Sequence, residues 1–314
     1  MKILTGKKYS AAASALIILV IFSLACGIRV VDDEAGPTSQ QQTIEVLSQT
    51  QTALADLSAL APQPTPVSGQ PAGQVEPTTP ATPTFPPQPD VQYNGISFSY
   101  DKTIANSVSQ VVVQGQFFGD AAMPGETFPS YYEFTFNTYP VTDNMHDPAI
   151  RVYPVAEYEE ISQLAADTFE EMRGALRNKA TPAHRDYLPF LPFWNAGMVF
   201  NAKVDYLNFQ NGEGMRYLTM FAQAAYPPDN RNVFYTFQGI TGDGKYYISA
   251  IFPISNPELP DNGDSVITDY WTFEENWPQY LQETVEMLNK QDPASFKPDL
   301  GLIDEIIASL KINP

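Results

Sequence analysis

Two stretches of the chain alternate strictly between apolar and polar residues, which is the pattern of a half-buried β-strand. In YYEFTFNT (131–138), the apolar positions on one face are Tyr132, Phe134 and Phe136. In MVFNAKVDY (198–206), they are Met198, Phe200, Ala202, Val204 and Tyr206. Each stretch is therefore predicted to be one strand that turns these side chains toward the core.

Further strands are predicted at 96–100, 109–115, 149–153, 214–224, 232–240 and 245–253. TGDG (241–244) is a hairpin signal, because its glycine supplies the positive φ angle that a tight turn needs, and NGEG (211–214) resembles another hairpin turn. They are predicted to close two hairpins, the first between 232–240 and 245–253, the second between 198–209 and 214–224. Consecutive hairpins of this kind form an antiparallel meander.

Three segments carry apolar residues at helical spacing. One helix is predicted over 155–178, with acidic residues opposite its apolar stripe. A second is predicted over 276–291, with Pro278 near its first turn. A third is predicted over 299–312, capped by Asp299. The fold class expected is α+β, an antiparallel sheet of meander hairpins with about three packed helices, in a single domain over 93–314.

The 92 residues before this domain have a different composition. Lys2, Lys7 and Lys8 precede an apolar stretch, Ala11 to Leu24, which is the layout of a secretory signal peptide over 1–25. The stretch is shorter than the roughly 20 residues that a membrane-spanning helix needs, which favours a cleaved signal peptide. The alternative is an N-terminal membrane anchor that is not cleaved. Residues 26–92 are predicted to be a stalk and a mostly disordered Pro/Thr-rich linker, with a possible helix at 40–60.

Cys26 is the only cysteine of the chain, and it follows Ser23-Leu24-Ala25 directly. This stretch matches the looser form of the bacterial lipobox, so Cys26 is predicted to carry the lipid that holds the protein on the extracytoplasmic face of the cell membrane. The alternative is a buried cysteine that happens to end the signal. If Cys26 is acylated, the domain must be stable without a disulfide.

The chain is acidic, with 36 Asp and Glu against 17 Lys and Arg and a net charge of −19. Removal of 1–25 would take away three lysines and no acid, which changes the charge to −22. Such a protein repels nucleic acid and anionic lipid headgroups, so no nucleic-acid partner is predicted. The expected partners are the membrane, through the N-terminal lipid, and an unknown protein or small apolar ligand.

The opening YNGISFSYD, the hairpin TFQGITGDGKYYISAIFPIS and the closing LIDEIIASLKI resemble the PsbP/DcrB-type α+β sandwich. IRVYPVAEYEE, LPFLPFWNAGMVF and KVDYLNFQNGEGMRYLTMFAQ resemble an uncharacterised family of lipoproteins of Chloroflexi-like and cyanobacterial genomes. The second likeness covers nearly all of 93–314 and implies no catalytic residues. The inserted stretch 116–130 departs from the broader group.

The residues offer little catalytic chemistry, and no catalytic residue, metal site or cofactor is predicted. The two histidines, His146 and His184, lie in loop-like contexts where surface positions are expected. GDSV (263–266) is similar to an esterase nucleophile block but lies late in the chain. LPDNGD (259–264) suggests calcium or a plain turn. The acid pairs 159/160, 170/171 and 274/275 suggest solvated helix faces or, as the alternative, glycosidase carboxylates.

YLPFLPFW (187–194) is the most unusual stretch of the domain, because Pro189 and Pro192 interrupt an aromatic run. Its apolar side chains either cap the sheet or form a ligand site. Phe190, Phe193 and Trp194 are the candidate ligand-binding residues. The function expected is a non-catalytic binding or scaffolding lipoprotein; the alternatives are an envelope-polymer hydrolase that uses carboxylates and a solute-binding receptor.

Overall fold

The structure is a computed structural model, and it describes residues 88–119, 123 and 125–314. The predicted signal peptide 1–25, Cys26, the helix at 40–60 and all but the end of the linker lie outside the described residues. The described chain is a mixed α+β domain with antiparallel sheets and four helices, which confirms the fold class at this level.

The strands form three antiparallel sheets. They are β1 (Val91–Tyr93), β2 (Ile96–Phe98), β3 (Ser107–Val113), β4 (Tyr131–Asn137), β5 (Ala149–Pro154), β6 (Gly197–Met198), β7 (Ala202–Phe209), β8 (Gly212–Thr219), β9 (Phe221–Ala222), β10 (Phe234–Thr241), β11 (Tyr246–Pro253) and β12 (Lys311–Ile312). The central sheet has seven strands in the order β3-β4-β5-β11-β10-β8-β7. β1-β2-β12 and β6-β9 form the two small sheets.

The central sheet joins two meanders, β3-β4-β5 and β7-β8-β10-β11. The second begins at the far edge and returns inward, so its last strand pairs with β5 in the middle. Both predicted hairpins are confirmed: β10 pairs with β11 across TGDG, and β7 pairs with β8. β10 is buried along its whole length and β11 along all but its first residue, because both faces of the sheet are covered.

The helices are α1 (Val155–Ile161), α2 (Gln163–Asn178), α3 (Tyr270–Lys290) and α4 (Leu300–Ser309). One face of the central sheet packs on α3, α4 and the β1-β2-β12 sheet, and shares with them a single hydrophobic core. The other face packs on α1, α2 and the segment 187–194, which we call the aromatic loop. The sheet is therefore the middle of three layers.

All three helix predictions need correction at their bounds. The single helix predicted over 155–178 is two helices, because Ser162 is extended (φ −149°, ψ 110°) and its side chain accepts the Ala165 N–H to begin α2. α3 begins at Tyr270, six residues before the predicted start, because Asp269 accepts the Thr272 N–H. Pro278 therefore lies inside α3 and not in its first turn. At α4 the predicted Asp299 cap is confirmed, through the Gly301 N–H. The predicted end at 312 is wrong, because α4 ends at Ser309 and Lys311–Ile312 form β12 by pairing with β2.

The strand predicted over 198–206 is also interrupted. Lys203 has a positive φ of 49°, and the pairing of β7 with β8 shifts register between Ala202 and Asp205. Such a bulge reverses the alternation of side chains. Ala202 therefore belongs to the core under α3 and α4, whereas Val204 and Tyr206 pack on the opposite face. The β4 prediction is confirmed, since Phe134 and Phe136 are buried.

Candidate binding groove

The aromatic loop lies against the sheet. Leu188, Phe190 and Leu191 are buried, and Phe193 and Trp194 are half-buried. Phe190 packs with Met215, Tyr217, Phe234 and Ile251 of the three strands beneath it. The sequence left two interpretations of this loop, a cap on the sheet or a ligand site. Phe190 fits the first, because its side chain is 1% exposed.

A buried glutamine holds the loop in place. Gln238 of β10 accepts the Leu191 N–H with Oε1 (3.1 Å) and donates through Nε2 to the Leu191 carbonyl (3.1 Å). The Ser249 hydroxyl donates to that same carbonyl. The Thr236 and Ser249 hydroxyls lie 2.8 and 3.1 Å from Nε2 and share its two hydrogens with the Leu191 carbonyl, so each polar group of this buried cluster has a partner. Side chains of β10 and β11 therefore hold the loop backbone against the sheet at Leu191.

The aromatic loop supports the wall of a groove at one end of the central sheet. Phe190 and Trp194 contact the Phe221 ring, with ring centroids 4.6 and 5.0 Å apart. Phe221 lines the groove, whereas Phe190, Phe193 and Trp194 do not. The three predicted ligand-binding residues therefore lie behind the groove wall, and their contact with a ligand stays a prediction.

The groove has a volume of about 760 Å³, within the range of small-molecule sites. It lies where β5 and β10 begin and where β8 and β11 end. Four regions of the chain line it, mostly loops but including β9 and the start of α3. Their side chains include Asp143, Asn144, Met145, Phe221, Gln223, Tyr226, Arg231, Asn232, Asn262, Asp264, Ile267 and Tyr270.

A fully buried aspartate connects two of these regions. Asp229 Oδ1 accepts the Arg231 N–H (3.1 Å) and the Asn232 side-chain amide (2.6 Å), and Oδ2 accepts the Gly263 N–H (2.6 Å). Asn230 adds bonds to the Leu259 carbonyl and Asp261 Oδ1. Because the Asp229 carboxylate bonds both regions, the groove residues at 231–232 and 262–264 are held at a fixed distance from each other.

Three charged side chains line the groove. Arg231 pairs with Asp143, with Nη2 3.0 Å from Oδ2. Asp264 lies on the other wall, where the Tyr226 hydroxyl is 3.2 Å from its Oδ1 and 3.2 Å from Asn262 Oδ1. Burial, together with the charges of Asp229 and Asp264, raises the pKa of Tyr226, so this hydroxyl stays a donor at neutral pH.

His146 is packed among aromatic rings beside the groove residues Asn144 and Met145. Its ring is stacked on Trp194 at 4.8 Å with an interplanar angle of 9°, and it meets Phe234 edge-on at 4.5 Å. Burial lowers the pKa of His146 to about 4, with a further contribution from the Arg151 charge. His146 lies in a loop, as predicted, but its half-buried ring is not the surface histidine that the sequence suggested.

The other residues singled out from the sequence have structural partners. Ser265 donates to the Asn262 carbonyl, and His184 accepts the Asn201 N–H with its own carbonyl. Asn262 accepts the Asp264 N–H, which begins a 3-10 helix at Gly263–Ser265. The acid pairs lie on α1, α2 and α3. Within 88–119, 123 and 125–314, no three His, Cys, Asp or Glu residues are grouped as metal ligands.

The sequence reasoning missed Tyr226, Arg231 and Asn232. The only indication in the sequence is the composition of YPPDNRN (226–232), which contains two prolines, an aspartate and two asparagines and is therefore typical of a turn. It did not show which other loops this turn meets.

Among the residues that the structure describes, no helix is both long and apolar enough to cross a bilayer. Comparison with known proteins gave no match: no family model, no curated protein and no solved structure is significantly similar to this chain.

Proposed function

We propose that this protein is a lipid-anchored lipoprotein of the extracytoplasmic membrane face, and that its domain binds a small ligand in the groove without transforming it. The observation that carries the binding proposal is the groove itself, because its walls are fixed from behind by the Asp229 bonds and by the rings that support Phe221. Groups held in place in this way lose little freedom when a ligand binds.

The anchor is supported by SLAC (23–26), which follows an apolar stretch directly. With Pro/Thr-rich sequence between Cys26 and the domain, the groove would stand away from the membrane surface. A domain placed in this way can meet ligands that arrive from outside the cell membrane.

Labelled fatty acid tests the anchor. We expect the wild-type chain to incorporate it and the Cys26→Ala variant to lose the label and be released from the membrane fraction. Equal labelling of the two chains would contradict lipidation, whatever the groove does.

Ligand-observed NMR of the full-length chain against a library of small organic molecules tests the groove. Ala224 is exposed and lines the groove, so Ala224→Trp should fill part of it and remove the hits without unfolding the domain. Ala156→Trp, on the exposed side of α1, is the matched control and should keep them. Hits that persist in Ala224→Trp would place binding elsewhere and refute the proposal.

A further inference from the structure

The charges of the groove are unbalanced. Arg231 and Asp143 form an ion pair on one wall, so their charges cancel locally. Asp264 has no Lys or Arg nitrogen within 4 Å among the described residues. The lining therefore carries one uncompensated negative charge, on a chain whose net charge is −19.

The Asp264 carboxylate is oriented by the protein. Tyr226 bonds its Oδ1, while Asn262 accepts the Asp264 N–H (2.9 Å). Within the described residues, Asp264 Oδ2 has no hydrogen-bond partner, so it has lone pairs for a ligand's N–H groups. A carboxylate and a charged amine form a hydrogen bond roughly twice as strong as a neutral pair.

Aromatic rings line the same groove as this carboxylate. Phe221, Tyr226 and Tyr270 line the groove, and Tyr270 packs edge-on against Trp271 at 5.8 Å. Trp271 is 72% exposed and lies next to the groove in sequence. Ring faces carry negative potential and attract cations within about 6 Å. Aromatic rings and a carboxylate in one groove both favour a positively charged ligand with an apolar body.

We propose that the groove binds a small organic cation, with its ammonium group at Asp264 and its apolar body against Phe221, Tyr226 and Tyr270. This inference rests on the proposed function and names its ligand class. The acidic net charge of the protein raises the local concentration of cations and disfavours acidic ligands of the same shape.

Three probes of matched size and different charge test the proposal: tryptamine, the neutral tryptophol and the anionic indole-3-acetate. Their affinities are measured by calorimetry on the full-length chain in nanodiscs of zwitterionic phosphatidylcholine, with empty nanodiscs subtracted. We expect tryptamine to bind about tenfold more tightly than tryptophol at low salt, and indole-3-acetate to bind most weakly. The preference for tryptamine should decrease as salt rises.

Asp264→Asn keeps an oxygen for the Tyr226 hydroxyl but removes the charge. It should abolish the preference for tryptamine and leave tryptophol affinity unchanged. Asp261→Asn makes the same change three residues away, at a side chain that does not line the groove, and should keep the preference.

Equal affinity for tryptamine and tryptophol in the wild-type chain would overturn the cation inference and leave the groove's binding function intact. The same conclusion would follow if none of the three probes bound while Ala224→Trp still removed the binding of library ligands. If no library ligand depends on the groove either, both the inference and the proposed function fail.

Discussion

At the scale of single residues, His146 makes stability depend on pH. Its pKa in the folded protein is about 4, against 6.5 for an exposed histidine. Between these values the unfolded chain binds more protons than the folded one, so protonation favours unfolding. We expect the His146 contribution to be complete above pH 6.5 and to be lost as the pH falls through 4, by up to about 3 kcal/mol in the free energy of unfolding.

Urea unfolding of wild type and His146→Gln between pH 4 and 7 measures this contribution. The variant should show a shallower rise of unfolding free energy with pH than the wild-type chain. Identical slopes for wild type and His146→Gln would contradict the buried neutral ring. This burial could not be predicted from the residues around His146, because the rings that cover it belong to Trp194 and Phe234, far along the chain.

At the scale of elements, two glycines leave room for a phenylalanine ring. Gly214 of β8 pairs with Gly239 of β10, and a Cβ at Gly214 would overlap the Phe237 ring and the Gln238 carbonyl. A Cβ at Gly239 would come within 2.7 Å of the same ring. Gly214→Ala should therefore lower the free energy of unfolding by about 2 kcal/mol, through overpacking.

Gly174→Ala in α2 is the control for this substitution. A Cβ there meets only the end of the Arg177 side chain, at 3.8 Å, and alanine is favoured over glycine inside a helix by roughly 1 kcal/mol. We expect stabilisation in urea unfolding at Gly174 and destabilisation at Gly214. A gain of stability in Gly214→Ala would show that both the Phe237 ring and the Gln238 backbone can move away at little cost.

Elements whose pattern lies within a few adjacent residues could be predicted, and elements that depend on distant parts of the chain could not. β4 was predicted with its correct face, because strict alternation is a property of seven adjacent residues. The break at Ser162 was missed because apolar residues continue on both sides of it; one of them, Leu164, is 46% exposed. β12 could not be predicted, since Lys311 and Ile312 become a strand only by pairing with β2, more than 200 residues earlier.

At the scale of the molecule, the candidate site was less predictable than the fold. The groove combines residues 143–145, 220–226, 231–232 and 262–270, and no local pattern relates these regions. The sequence did single out one of these regions, the PDNGD turn, and the aromatic loop that packs behind Phe221. The aromatic loop was predicted to bind a ligand because its side chains are apolar. Phe190 instead packs against the sheet and Phe221, and it is Phe221 that lines the groove.

The excess of acidic residues also acts on the molecule as a whole. Most of the ion pairs have at least one largely exposed partner, for example Lys102–Asp90 and Arg231–Asp143, and such pairs contribute little to stability. Repulsion among the remaining carboxylates opposes the compact state. Salt weakens both the ion pairs and the repulsion. Each exposed pair contributes under about 1 kcal/mol to stability, whereas the repulsion involves carboxylates over the whole surface, so the loss of repulsion should dominate.

We therefore expect sodium chloride, raised from 10 to 300 mM at pH 7, to increase Tm by about 3 °C, which corresponds to on the order of 1 kcal/mol for a domain of this size. Glu274 and Glu275 are exposed on α3. Replacing one glutamate by lysine raises the formal charge by two, so the double variant has a charge of −15 in place of −19. This double variant should show a smaller increase under the same salt series, measured by circular dichroism. A fall of Tm with salt in the wild-type chain would mean that its ion pairs outweigh its net charge, and Arg151–Glu133, the most buried pair joined by a short bond, would then be the first to test.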